Sequence, residues 1–165
     1  MRGSSAAQRV GIALAAGIIL AAAAVPSYHL TVTAEGGARL WAIPIVPGTP
    51  VTLAYENSIF RAPTEEMLVA TAQGFTLRAV RSTSQAVLAY NGLDAPYRRH
   101  GLWFEADVSR MLPLLTIRIG RTGRQHLMVT GHTVPLYDAG EGARVQVGVM
   151  RTPRVVAALR AWAVR

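Results

Sequence analysis

After Pro26 the apolar residues fall into a period of two, the spacing that places alternate side chains on one face of a β-strand. Ala143, Val145, Val147 and Val149 alternate with Arg144, Gln146 and Gly148, and Leu115, Ile117 and Ile119 alternate with Thr116 and Arg118. Val51, Leu53 and Tyr55 stand against Thr52 and Glu56, and Phe75, Leu77 and Ala79 against Thr76 and Arg78. Each run has one apolar face that must be covered. Turn signals separate the runs at short intervals: Glu35-Gly36-Gly37, Pro47-Gly48, Gln73-Gly74, Asn91-Gly92, Arg121-Thr122-Gly123 and Ala139-Gly140-Glu141-Gly142. The pattern predicts an all-β fold, an antiparallel β-sandwich or open barrel of about eight or nine strands. Within it, LLTIRIGRTGRQHLMVTG (114–131) reads as a hairpin, with Ile119-Gly120 and Gly123-Arg124 bracketing a polar turn. The stretch from Gln85 to Trp103 breaks the period and reads as a long connection.

Both ends of the chain depart from this period. Val10 to Val25, VGIALAAGIILAAAAV, follows Arg2 and Arg9, and no acid precedes Glu35. A basic flank before an apolar, small-residue run is an export signal with its positive end in the cytoplasm. Two outcomes stay open. Ala22-Ala23-Ala24 satisfies the small-x-small cleavage rule, whereas a helix over 6–25 would reach the roughly 20 residues that span a bilayer. The expected place is therefore the inner membrane facing the periplasm, or the periplasm itself if the leader is removed. At the other end, Thr152 can cap and Pro153 can open a helix whose Val155, Leu159 and Trp162 share one face. That amphipathic helix would pack on the β-domain or lie on an anionic membrane surface. The expected organisation is a leader or anchor over 1–26, a β-domain over 27–151 and a C-terminal helix over 152–165.

Composition removes several kinds of chemistry. With no cysteine there is no disulfide, thiolate metal site or cysteine nucleophile. The net charge of +8 raises nucleic acid as a partner. All the basic residues are arginines, scattered but for Arg98-Arg99, and no helix-turn-helix, zinc-finger or RNA-recognition pattern accompanies them. The reading is therefore of no nucleic acid. No phosphate loop or dinucleotide fingerprint points to a cofactor. His126 and His132 match no zinc spacing, so no metal is assigned.

The candidate chemistry gathers in YENSIFRAPTEE (55–66), where Tyr55, Asn57, Ser58, Arg61, Glu65 and Glu66 follow one clean strand. As a binding site, Asn57 and Ser58 offer directional hydrogen bonds, Arg61 an anion clamp, and Glu65 or Glu66 a partner for Arg61 or a cation. As plain structure, the same residues make a turn stiffened by Pro63 and closed by an Arg61 ion pair to Glu65 or Glu66. Neighbouring residues on a strand point to opposite faces, so Glu65 and Glu66 cannot form one catalytic pair on a regular backbone. An alternative is a small exported hydrolase using Glu65 or Glu66 with His100 or His126. Ser58 lacks the glycines of a nucleophile elbow.

LAYENSIFRAPTEEMLV, with the downstream segment from Leu102 to Val149, resembles the domain of unknown function 1850 family. The likeness rests on Tyr55, Ser58, Pro63, Glu65 or Glu66, Ile117, Gly120, His126 and Leu127, and spans roughly residues 30–150. The chain departs from the family pattern at Asn57, where a histidine stands in the family, and over STSQAVLAYNG (82–92), where a glycine-rich stretch is expected. Asparagine cannot carry a proton near neutral pH, so histidine chemistry at that position is lost. The resemblance implies a small exported protein acting beside a tripartite periplasmic uptake transporter, touching its membrane subunits or its substrate-binding protein. On this reading the chain is a non-catalytic accessory or ligand-binding protein, and its oligomeric state stays open.

Overall fold

The computed structural model of the chain describes residues 25–153. Its strands are β1 (Pro26–Ala34), β2 (Arg39–Ile45), β3 (Pro50–Asn57), β4 (Ala62–Thr71), β5 (Gly74–Ser82), β6 (Arg98–His100), β7 (Trp103–Leu112), β8 (Leu115–Arg118), β9 (His126–Val129), β10 (His132–Pro135) and β11 (Arg144–Pro153). One short helix, α1 (Gln85–Tyr90), follows β5, and a 3-10 turn spans Leu136–Ala139. The strands form a 4-stranded sheet, β2-β1-β11-β8, and a 7-stranded sheet, β10-β9-β3-β4-β5-β7-β6. Every neighbouring pair of the larger sheet is antiparallel.

One core joins the two sheets. Leu30, Val32, Ile43, Ile45, Leu115, Val145 and Val147 of the smaller sheet are buried with Val51, Leu53, Leu68, Phe75, Leu77, Leu127 and Val129 of the larger. These are the alternate residues that the period of two puts on one face, and their removal from water is the main stabilising contribution.

The structure revises several expectations. There are more strands than the eight or nine anticipated, because β6, β9 and β10 are only three or four residues long and too short to show a period. Residues 114–131 are not a hairpin: β8 pairs with β11 in the smaller sheet, whereas β9 pairs with β3 and β10 in the larger one. The polar turn between them carries the chain from one sheet to the other. The expected long connection over 85–103 holds α1, which buries Val87 and Leu88, and the edge strand β6. In β5 a bulge between Leu77 and Ala79 shifts the register, so that Val80 rather than Ala79 lies opposite Glu66 on the inner face. β11 continues through Thr152 and Pro153, so neither starts a helix. The remainder of the expected C-terminal helix, and the leader over 1–26 up to Ala24, lie outside the described residues. Among the described residues no helix is long and apolar enough to cross a membrane.

Candidate ligand-binding site

Pairing registers decide which polar groups of 55–66 can meet. One row of side chains runs across the larger sheet through Leu127, Leu53, Glu66, Val80 and Ala106, and the next row of the opposite face runs through His126, Ala54, Glu65, Arg81, Glu105 and Arg98. Glu66 therefore points inward among apolar neighbours. Glu65 points outward into a ladder of alternating charge.

The outward ladder is internally satisfied. Arg81 grips Glu65 with Nη2 at 2.6 Å and Nε at 2.8 Å and lies 4.8 Å over the Trp103 ring. Arg98 of the edge strand binds Glu105 at 2.6 Å and also Asp107. Such cross-strand pairs fix register and fasten β6 to its neighbour.

The turn residues are likewise used locally. Asn57 Oδ1 accepts hydrogen bonds from the backbone N–H of Ile59 and Phe60, both at 3.1 Å, an Asx turn that closes the β3–β4 hairpin. Ser58 is exposed in that turn. Arg61, with φ of +50°, turns back to Glu56, its Nε 2.7 Å from Oε1. The ion pair expected from Arg61 to Glu65 or Glu66 is thus made to Glu56 instead, because Glu65 and Glu66 stand further along β4, on opposite faces.

What remains is Tyr55 with Glu66. Tyr55 on β3 lies diagonally beside Glu66 on β4, one pleat along the same face, and its hydroxyl donates to Glu66 Oε1 at 3.1 Å. Burial pushes the Glu66 carboxyl above its ordinary range, an effect that the Tyr55 hydrogen bond and the Arg110 guanidinium oppose without cancelling. Burial and the neighbouring Glu66 charge push the Tyr55 phenol up as well, with Asn91 acting in the other direction. The phenol is a proton donor throughout the physiological range.

Glu66 forms part of the wall of two cavities. The larger, about 420 Å³, lies between the sheets and is lined by Leu53, Leu112, Leu115 and Ile117, with Tyr55, Glu66 and Gln125 as its inner polar groups and Arg118 also on its wall. The smaller, about 160 Å³, brings in Asn91 from just after α1 and Arg110 from β7. Gln125, Asn91 and Arg110 carried no signal in the sequence, because each reaches the site through a crossover, a helix end or a register that spacing does not encode. Gln125 Oε1 is buried and has no hydrogen-bond partner among the described residues. An open cleft of this size, with leucine and isoleucine side chains and several polar groups on its wall, has the volume of a small-molecule site.

Glu65 and His126 also share the wall of a further cavity of about 330 Å³, with Trp103 and Arg124. Among the described residues neither Glu65 nor Glu66 has a histidine as a hydrogen-bond partner: His126 Nδ1 lies 3.0 Å from the Arg124 carbonyl on the outer side, and His100 is exposed at the sheet edge. No group of three or more histidines and carboxylates is placed to hold a metal ion among the described residues.

The raised carboxyl has a measurable consequence. As pH rises through the ordinary glutamate range, the unfolded chain loses the Glu66 proton before the folded one does, so stability falls with pH until the folded value is passed. Glu66→Gln keeps an acceptor for Tyr55 and removes this titration. It should melt above the parent protein at pH 8, with the gap closing towards pH 4; an unchanged gap across that range would mean that Glu66 ionises normally.

No family model, curated protein or solved structure matches this chain.

Proposed function

We propose that the chain is a non-catalytic, exported β-sandwich protein that binds a small molecule between its sheets and serves a periplasmic solute uptake transporter at the membrane. The observation that carries the binding reading is the cavity itself, a cleft in which residues of both sheets flank the hydrogen-bonded Tyr55 and Glu66. The placement beside a transporter rests on the export signal and on the likeness of residues 30–150 to the family named above. Ile59, Phe60 and Tyr90 add a solvent-exposed apolar surface at the β3–β4 turn and α1, where Phe60 meets Tyr90 edge-on at 5.9 Å. Exposed apolar patches of this kind suit a protein partner.

Ligand binding is tested by purifying the full chain from its host membranes, denaturing it and analysing the released small molecules by mass spectrometry. Ile117→Trp fills the cavity from the β8 side, at a position that is only partly buried. A compound released from the parent protein and lost from Ile117→Trp, with the melting temperature retained, is the expected result. Identical extracts from both would remove the cavity from consideration. For the transporter context, mild crosslinking in membranes should capture transporter subunits with the parent chain, at a several-fold lower yield with Phe60→Asp. Repeated capture of none would overturn that assignment.

A further inference from the structure

The polar groups around the cavity indicate which molecules it admits, an inference that rests on the binding reading above. Gln125 Oε1 is a buried acceptor with no partner among the described residues, and Gln125 packs so closely on Gly123 that a Cβ there would lie 2.5 Å from its Nε2. The side chain is thus held in place, with its oxygen unsatisfied. A buried acceptor in this condition favours any donor that reaches it, whether a water in the free protein or a ligand group in the complex. The Glu66 carboxyl accepts from Tyr55 through Oε1, and among the described residues no hydrogen bond involves its second oxygen. With Gln125 Nε2 turned onto Gly123, Gln125 Oε1 and this second Glu66 oxygen are two acceptors left for a ligand, beside the Thr116 hydroxyl on the wall.

The surrounding charge limits the ligand further. A cation placed against Glu66 would share the cavity with Arg118, and Arg110 already faces Glu66 from the smaller cavity. An anion would share the cavity with the Glu66 carboxyl and the Gln125 amide oxygen. Leu53, Leu112, Leu115 and Ile117 favour an apolar body, whose transfer from water supplies most of the affinity.

We propose that the cavity selects uncharged, mainly apolar molecules that present one or two hydrogen-bond donors, a hydroxyl or an amide N–H, to Gln125 Oε1 and the Glu66 carboxyl. A site built to satisfy such a donor rejects the analogue that lacks it, because its buried acceptors are then left unpaired.

A matched series tests this: 4-butylphenol, 4-butylanisole, 4-butylbenzoate and 4-butylbenzylamine, each titrated by ligand-observed NMR into the full chain in nanodiscs. The signal of Ile117→Trp in the same nanodiscs is subtracted to remove partition into lipid. The phenol should bind best, and methylation to the anisole should weaken binding about fivefold to tenfold. The benzoate and the benzylamine, charged at neutral pH, should bind more weakly than the phenol. Gln125→Leu should narrow the gap between phenol and anisole while leaving anisole binding in place, which simple misfolding would not do. If phenol and anisole bind equally and Ile117→Trp abolishes both, the cavity binds ligands but the donor preference is wrong. Tightest binding of the benzoate or the benzylamine would overturn the neutral-ligand assignment. If no member distinguishes the parent from Ile117→Trp, the binding reading itself fails.

Discussion

Replacing Gly74 with alanine is expected to lower the unfolding free energy of the domain by about 3–5 kcal/mol, a large share of the stability of a protein of this size. Gly74 opens β5 with φ of +134°, a backbone conformation that a side chain disfavours. An added Cβ would also lie 2.5 Å from the Leu112 carbonyl oxygen and 2.7 Å from Pro113 Cα. Both obstacles are backbone atoms, so no side-chain rotation relieves them. Relief would require parting β5 from the end of β7, where Phe75 lies opposite Leu112. Urea denaturation of the variant should show a lower midpoint, and Gly36→Ala serves as a control because its added Cβ meets nothing within 4 Å at a similarly positive φ of +104°. Equal losses in the two variants would mean that backbone conformation alone, not the contact with Leu112 and Pro113, makes Gly74 necessary. Because Leu112 lines the larger cavity, partial relief in Gly74→Ala should also weaken ligand binding.

Ser82→Ala is the second large effect, at about 2–3 kcal/mol. Ser82 is fully buried at the end of β5; its hydroxyl donates to the Pro63 carbonyl at 2.9 Å and accepts from Ser84 N–H at 3.3 Å. Thr64, almost as buried, brings its own hydroxyl to 3.2 Å from both Ser82 Oγ and the Ala62 carbonyl. Alanine at 82 removes the acceptor of the Ser84 N–H and one hydrogen bond each from the Pro63 carbonyl, which keeps the Thr83 N–H, and the Thr64 hydroxyl, which keeps the Ala62 carbonyl. Thermal or urea unfolding of Ser82→Ala, Thr64→Val and the double variant checks the network: the double variant should lose less than the two singles added together, because either change alone already removes the Thr64–Ser82 hydrogen bond. Strict additivity would show that the hydroxyls act independently.

Much of the fold was legible in the sequence, because its longer strands keep one face buried and the period of two survives in β3, β8 and β11. Alternation also separates Glu65 from Glu66, and the registers place them on opposite faces. Alternation says nothing about which strands are neighbours. Leu115 and Leu127 look like two arms of one hairpin, and their apolar runs are compatible with that pairing, yet they belong to different sheets. The candidate site was legible only by half. Tyr55 and Glu66 were singled out, but as members of a turn cluster whose other polar residues satisfy one another or the backbone. The groups that complete the two cavities, Gln125 in the larger and Arg110 and Asn91 in the smaller, depend on crossovers and strand registers, and a single polar residue carries no trace of such distant placement.

The order of strands in the smaller sheet has a consequence for how the protein comes into being. β1 lies beside β11, with the Thr31 hydroxyl donating to the Gly148 carbonyl across 117 residues of chain. Synthesis from the N-terminus delivers β1 and β2 first, then nearly everything else, before β11 arrives to pair with β1. Contacts this distant in sequence make folding slow. The early hairpin must wait through nearly the whole of synthesis with an open strand edge, so the interval before closure, rather than the folded state, is where this protein is most vulnerable to aggregation and proteolysis.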